Sequence, residues 1–183
     1  MDENTCVVDV AKYFIDFLID ESCGKCLPCR EGLRQMSEML HRICDGDGKL
    51  KDVNDLEALG ETVAATALCG LGKSAPNPVL SSIRHFREEY LAHIVEHRCP
   101  GGVCKALISY HVLPEACTGC GSCAKVCPSD AIHTVPGKKR KDGLLHEIDL
   151  EACVKCGACI EICPEDAIEK RSPAEVPVRA AGS

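Results

Sequence analysis

C-T-G-C-G-S-C-A-K-V-C-P, Cys117 to Pro128, and C-V-K-C-G-A-C-I-E-I-C-P, Cys153 to Pro164, are the stretches that decide how this chain folds. Each has three cysteines at three-residue intervals, a fourth after three intervening residues, and then proline. The second copy starts 36 positions after the first. A triplet this tight lets one loop wrap a metal–sulfur cube and supply three thiolates to it. Pro128 and Pro164 turn the chain away after the fourth cysteine, because proline blocks a continuing helix. Eight cysteines in this pattern, with both prolines in place, argue against a pair of zinc sites or a disulfide knot.

The run resembles that of two-cluster bacterial ferredoxins, in which the fourth cysteine of each copy ligates the other cluster. The resemblance therefore implies Cys117, Cys120, Cys123 and Cys163 for one 4Fe–4S cluster. Cys153, Cys156, Cys159 and Cys127 are left for the second.

Composition sets the wider frame. The chain has 183 residues, 16 cysteines and a formal charge of −7. The opening Met1-Asp2-Glu3-Asn4 lacks the basic and apolar regions of a signal peptide. No stretch approaches the ~18 consecutive apolar residues of a membrane span. The expectation is a cytoplasmic protein without membrane insertion, where cysteine serves metals rather than crosslinks. Each oxidised cluster with its four thiolates adds about −2 to the charge, so nucleic acid is excluded as a partner. The basic run Lys138-Lys139-Arg140-Lys141 falls between the two copies and reads as a solvated hairpin tip.

Upstream, the chain reads as helices. Val7, Val10, Ala11, Phe14 and Leu18 share one helical face over residues 5–19, with Asn4 or Thr5 as the cap. Cys6, in the first turn, reads as a small buried apolar residue. Glu21 to Gly32 (E-S-C-G-K-C-L-P-C-R-E-G) holds a third triplet, Cys23, Cys26 and Cys29, without a fourth cysteine nearby. The next helix aligns Leu33, Met36, Leu40 and Ile43. It ends in Asp45-Gly46-Asp47-Gly48, which lacks the closing glutamate of a calcium loop. A third helix runs from Val53 to Ala67, and L-C-G-L-G-K-S then brings Cys69, the natural fourth ligand of the triplet. A fourth helix opens at Asn77-Pro78 and continues through Val79, Ile83, Phe86, Tyr90 and Ile94 to about His97.

Glu21–Gly32 together with Leu68–Ser81 resembles the C-terminal helical domain of the flavin-bearing, NADH-binding subunit of respiratory complex I and of NAD(P)-linked hydrogenases and formate dehydrogenases. The resemblance covers residues 1–97. It implies that Cys23, Cys26, Cys29 and Cys69 hold a 4Fe–4S cluster that takes electrons from FMN. With the appended ferredoxin part, the chain is most similar to the beta subunit of electron-bifurcating iron-only hydrogenases and to NADP-reducing hydrogenases. In that family FMN and NAD(H) sit on a long N-terminal part with a glycine-rich loop, which is not found here. The expectation is a fragment or a split subunit working beside a flavin/NADH module, other iron–sulfur subunits and a carrier such as ferredoxin.

Cys99 and Cys104 flank Pro100-Gly101-Gly102 and are not needed by three clusters. Two cysteines around such a turn, with a histidine and one more cysteine, make a structural Cys3His zinc site. Cys44 and His93 are the chosen partners, with His97 and His85 as rivals; the alternative is two ordinary thiols in a tight turn.

The expected architecture is α+β. A helical domain with one 4Fe–4S cluster spans 1–97, a linker with the zinc site 98–112, a two-cluster ferredoxin domain 113–171, and a disordered tail 172–183. The seven histidines form no base–nucleophile pattern, and no catalytic residues are assigned. The function this implies is an electron-transfer part of an NAD(P)H-linked oxidoreductase. The alternative is an iron–sulfur redox sensor or assembly module without through electron flow.

Overall fold

The computed structural model describes residues 4–172. The chain divides into two compact units after Leu107. The segment expected as a linker is thereby split, residues 98–107 going with the first unit and 108–112 with the second.

The first unit is built from α1 (Val7–Asp20), α2 (Leu27–Cys44), α3 (Leu50–Thr66), the short α4 (Gly70–Ser74) and α5 (Asn77–Val95). Leu33, Met36, Leu40 and Ile43 form the apolar stripe of α2 and are fully buried. Around them pack Ile15 of α1, Leu56 and Val63 of α3, and Val79, Ile83 and Tyr90 of α5. Burying side chains of this size is worth about 1.5–3 kcal/mol each, and it is this stripe that holds the bundle together. Gly32 lets α2 and α3 touch, since a Cβ there would come within 2.3 Å of Val63. Asp52, almost fully buried, accepts from the Lys49 backbone N–H at 2.9 Å and pairs with Arg42 at 2.8 Å, which starts α3 three residues before Val53.

Two sequence expectations shift here. The cap of α1 is Cys6, whose sulfur accepts from the Asp9 N–H at 3.4 Å; neither Asn4 nor Thr5 takes that place. The buried face of α1 is Val7, Val8, Ala11 and Ile15, which leaves Phe14 exposed. On α5, Phe86 leaves helical geometry at φ −136°, ψ 34° and is exposed. The helix is thus kinked, with the Ser82 and Tyr90 hydroxyls 2.7 Å apart across the bend.

The second unit contains β1 (Ser109–Val112), α6 (Ser122–Val126), β2 (Ile132–Lys139), β3 (Leu144–Ile148), α7 (Ala158–Ile162) and β4 (Ile168–Arg171). The 36-residue period of the sequence reappears in space: α6 and α7 sit at matching positions, as do β1 and β3, and β2 and β4. The pairing crosses the repeats. β1 pairs antiparallel with β4 (Ser109 opposite Arg171, Val112 opposite Ile168), and β2 with β3 (Ile132 opposite Ile148). Each sheet therefore takes one strand from each copy. Ile108, Tyr110, Ile132, Ile148 and Ile168 make the core between them.

Lys138, Lys139 and Lys141 lie exposed at the β2–β3 turn. Of the expected tail, Ser172 is buried at the end of β4, and 173–183 lie outside the described residues.

Candidate metal centres

Every cysteine in the chain is a free thiol. In the second unit their placement follows the crossed repeat. Cys117, Cys120, Cys123 and Cys163 line one cavity, together with Gly119, Gly121 and His146. Cys127, Cys153, Cys156 and Cys159 line another, together with Tyr110 and Gly157. Each quartet draws three sulfurs from its own copy and one from the other.

The backbone donates an N–H group to sulfur at both crossing positions. Ala131 N–H donates to Cys127 Sγ at 3.2 Å, and Ala167 N–H to Cys163 Sγ at 3.3 Å, again 36 positions apart. Hydrogen bonds to thiolate favour the charged form that binds metal. Burial acts the other way on the innermost ligands. It pushes the Cys159 thiol up to about 11, helped by the nearby Cys153, and it raises Cys123 as well. Thiolates crowded into an apolar cavity need a compensating positive charge, and the core of an iron–sulfur cluster supplies it. The donor set, the cavities and the N–H···S contacts all fit a 4Fe–4S group.

The wrapping loops need left-handed backbone. Gly119, Gly121 and Gly157 have φ of 84°, 74° and 83°. Gly119 is also pressed against the β3 strand, where a Cβ would lie 2.9 Å from the Leu144 carbonyl oxygen. A Gly119→Ala chain should lose about 1–3 kcal/mol through strained φ and this clash. Chemical denaturation of the cluster-loaded protein checks it, the expected result being a lower midpoint at unchanged slope.

In the first unit, the loop that carries Cys69 meets the Cys26 and Cys29 end of the triplet. Cys29 is buried, with its sulfur 3.3 Å from Ser22 Oγ, while Cys23 and Cys69 are exposed. The Cys26 thiol is held below its ordinary value by N–H groups of Leu68 and Cys29, so the Cys69 loop reaches the triplet. Gly72 completes the approach, since a Cβ there would stand 3.4 Å from Cys29 Cβ.

The surplus cysteines form a different kind of site. Donor atoms of Cys6, His93, Cys99 and Cys104 all lie within 4.8 Å of one another, and all four residues are buried. His93 Nε2 is 3.3 Å from Cys6 Sγ and 3.4 Å from Cys104 Sγ, and the two sulfurs are 3.7 Å apart. His93 Nδ1 lies 2.7 Å from the Glu89 carbonyl oxygen, a contact that fixes the proton on Nδ1 and leaves Nε2 free to ligate.

Cys44 stands outside this foursome, in a second group with Asp9 and Cys104. The place expected for Cys44 is thus taken by Cys6. As the cap of α1, Cys6 turns its side chain back toward the bundle, while the Pro100-Gly101-Gly102 turn packs against it. A Cβ at Gly101 would come within 2.6 Å of the Thr5 backbone. His97 and His85 are exposed and do not join the four donors.

Electrostatics mark this as a place that wants a cation. Burial alone would hold His93 low, yet hydrogen bonds to Cys6 and Cys99 raise it to about 10. Cys99, hydrogen-bonded by Cys104 and Cys6, falls well below the usual thiol range. Cys104, tied to Cys44, Cys6 and Cys99, keeps its proton. Three sulfurs and one imidazole nitrogen are the donor types that a structural Cys3His zinc site uses.

Residues 9–93 match the NADH-ubiquinone oxidoreductase-F iron-sulfur binding region, and residues 110–174 match the 4Fe-4S dicluster domain. The chain carries both domains, in that order. Over 132 residues it is 50% identical to the NADP-reducing hydrogenase subunit HndC of Solidesulfovibrio fructosivorans, covering 72% of this chain and 27% of that protein. Over 99 residues it is 42% identical to the F component of the NADH-quinone oxidoreductase of Mycobacterium bovis, covering 54% and 22%. The alpha subunit of the NAD-reducing hydrogenase HoxS of Cupriavidus necator is 32% identical over 94 residues, covering 51% and 16%. The chain thus spans about a quarter or less of the length of these relatives. No helix among the described residues is long and apolar enough to cross a membrane.

Proposed function

We propose that this chain is an iron–sulfur relay with three 4Fe–4S sites and one structural zinc, passing single electrons between a flavin/NAD(H) module and further redox partners. The observation that carries it is the pair of interleaved cysteine quartets in the second unit, joined to a third quartet in a domain of the NADH-oxidoreductase type. The first site is built from Cys23, Cys26, Cys29 and Cys69, the second from Cys117, Cys120, Cys123 and Cys163, and the third from Cys127, Cys153, Cys156 and Cys159. Clusters supply the one-electron chemistry. The protein's part is to hold the thiolates, donate N–H groups to sulfur and set the surrounding dielectric.

The exposed ends of the first quartet, Cys23 and Cys69, face solvent at the bundle end and suit transfer from a flavin partner. FMN and NAD(H) belong to that partner module in this reading, and a ferredoxin-type carrier is an outlet for the electrons. The zinc site, formed by Cys6, His93, Cys99 and Cys104, closes the first unit and takes no part in transfer. A cytoplasmic location accords with the unpaired thiols.

Anaerobic reconstitution should give about twelve iron and twelve sulfide per chain. Cys69→Ala should remove about four of each and leave the second unit's signals intact. Iron near eight in the wild type, unchanged by Cys69→Ala, would remove the first site from the relay. Addition of a flavin-bearing partner and NADH should bleach the clusters; failure to do so with all twelve irons present would leave a metal-binding module without electron flow.

A further inference from the structure

The two cavities of the second unit share their cysteines and wrapping glycines and differ at several matching positions, Thr118/Val154, Ser122/Ala158, Glu165/Ser129 and the pair His146/Tyr110 among them. Tyr110 on β1 lines the cavity of Cys127, Cys153, Cys156 and Cys159. His146 on β3, 36 positions later, lines that of Cys117, Cys120, Cys123 and Cys163. The equivalence extends to contacts: the Tyr110 hydroxyl lies 3.3 Å from where a Cβ of Gly157 would stand, and His146 Nε2 lies 3.6 Å from that of Gly121. Gly121 and Gly157 are themselves the matching glycines of the two wrapping loops.

His146 is unusual in a second way. It is only 6% exposed, and its Nδ1 has no hydrogen-bond partner among the described residues. Leaving a buried polar nitrogen unpaired is costly, so an imidazole placed here needs a partner. The cavity walls offer it the cysteine sulfurs and whatever they hold, beside the oxygens of Thr118, Ser122 and Glu165.

We infer that His146 raises the reduction potential of the Cys117/Cys120/Cys123/Cys163 site. The inference rests on the cluster reading given above. A neutral imidazole always carries one N–H, and no titration is required of it. Reduction adds one electron and one negative charge to the site; no bond breaks and no proton moves. An N–H dipole inside a dry cavity favours the more negative state and so raises the potential. His146 acts as a positioning residue for charge, not as a ligand.

The test is an EPR-monitored redox titration of the reconstituted full chain, wild type against His146→Phe, His146→Leu, His146→Gln and Tyr110→Phe, with iron counted in each. His146→Phe or His146→Leu should make one site at least tenfold harder to reduce, about 59 mV lower for one electron, while the other potentials stay in place. His146→Gln, which keeps an N–H donor, should recover most of the shift. Tyr110→Phe should leave the His146-sensitive potential where it was. Full iron with unmoved potentials in both apolar variants overturns the inference. Loss of that site's iron in both also overturns it, because His146 would then serve assembly instead of tuning. Wild-type protein that binds no iron in the second unit refutes the cluster reading itself, a different failure from either.

Discussion

Cys6→Ser is expected to strip the zinc from this chain while leaving its iron at the wild-type level. Serine is as good a helix cap as any residue, so α1 keeps its N-terminal hydrogen bond and the variant isolates the lost thiolate. Structural zinc in small domains is worth about 10–16 kcal/mol of apparent binding energy at neutral pH. Losing one of four ligands forfeits several kcal/mol of this, more than most single interactions in the bundle supply. Elemental analysis should fall from about one zinc per chain to a small fraction, and the first unit should unfold at markedly lower denaturant. Cys44→Ser is the counterpart: zinc should stay, because Cys44 touches Cys104 from outside the foursome. The reverse outcome, zinc lost with Cys44→Ser and kept with Cys6→Ser, would restore the ligand set expected from sequence.

The second large effect tests the crossing of the ferredoxin repeats. Cys163 lies ten positions or fewer from Cys153, Cys156 and Cys159, yet it lines the cavity of Cys117, Cys120 and Cys123. Cys163→Ala should therefore cost about four irons from the site of the other copy. Paired substitutions decide it. Cys117→Ala combined with Cys163→Ala should lose no more iron than either alone, since both belong to one site. Cys117→Ala combined with Cys127→Ala should lose about eight, although those two cysteines stand in one motif. If instead the second pair behaved as one site, ligation would follow sequence neighbours and the crossing would be wrong.

The helices and the cysteine motifs were legible in the sequence because each rests on local periodicity. The α2 stripe Leu33, Met36, Leu40, Ile43 is buried as its spacing demands, and the repeat predicts its own pseudo-symmetry. Features set by distant partners were harder to read. Phe14 points out because Val8 and Ile15 fit the α2 surface better, and two apolar faces one residue apart look alike in a short helix. The kink at Phe86 has no proline or glycine to announce it. The sequence reads Cys6 as a buried apolar residue, because its neighbours in the candidate site lie some ninety positions away. The signal present was positional: a cysteine immediately before a helix, where a capping side chain must turn back. His146 could have been found by the period alone, as the residue matching Tyr110.

The contact between Cys6 and Cys104 joins residues 98 positions apart, and that distance has a bearing on the order of assembly. α1, α2 and α3 follow one another in sequence and can pack together early, whereas the contact of the α1 cap with α5 and the turn beyond it comes later. Closing so long a loop costs chain entropy before any contact repays it. A metal that needs Cys6, His93, Cys99 and Cys104 at once can be captured only when that closure is complete. Zinc uptake would then act as a latch that engages last, and its occupancy would report whether the whole helical unit has finished folding.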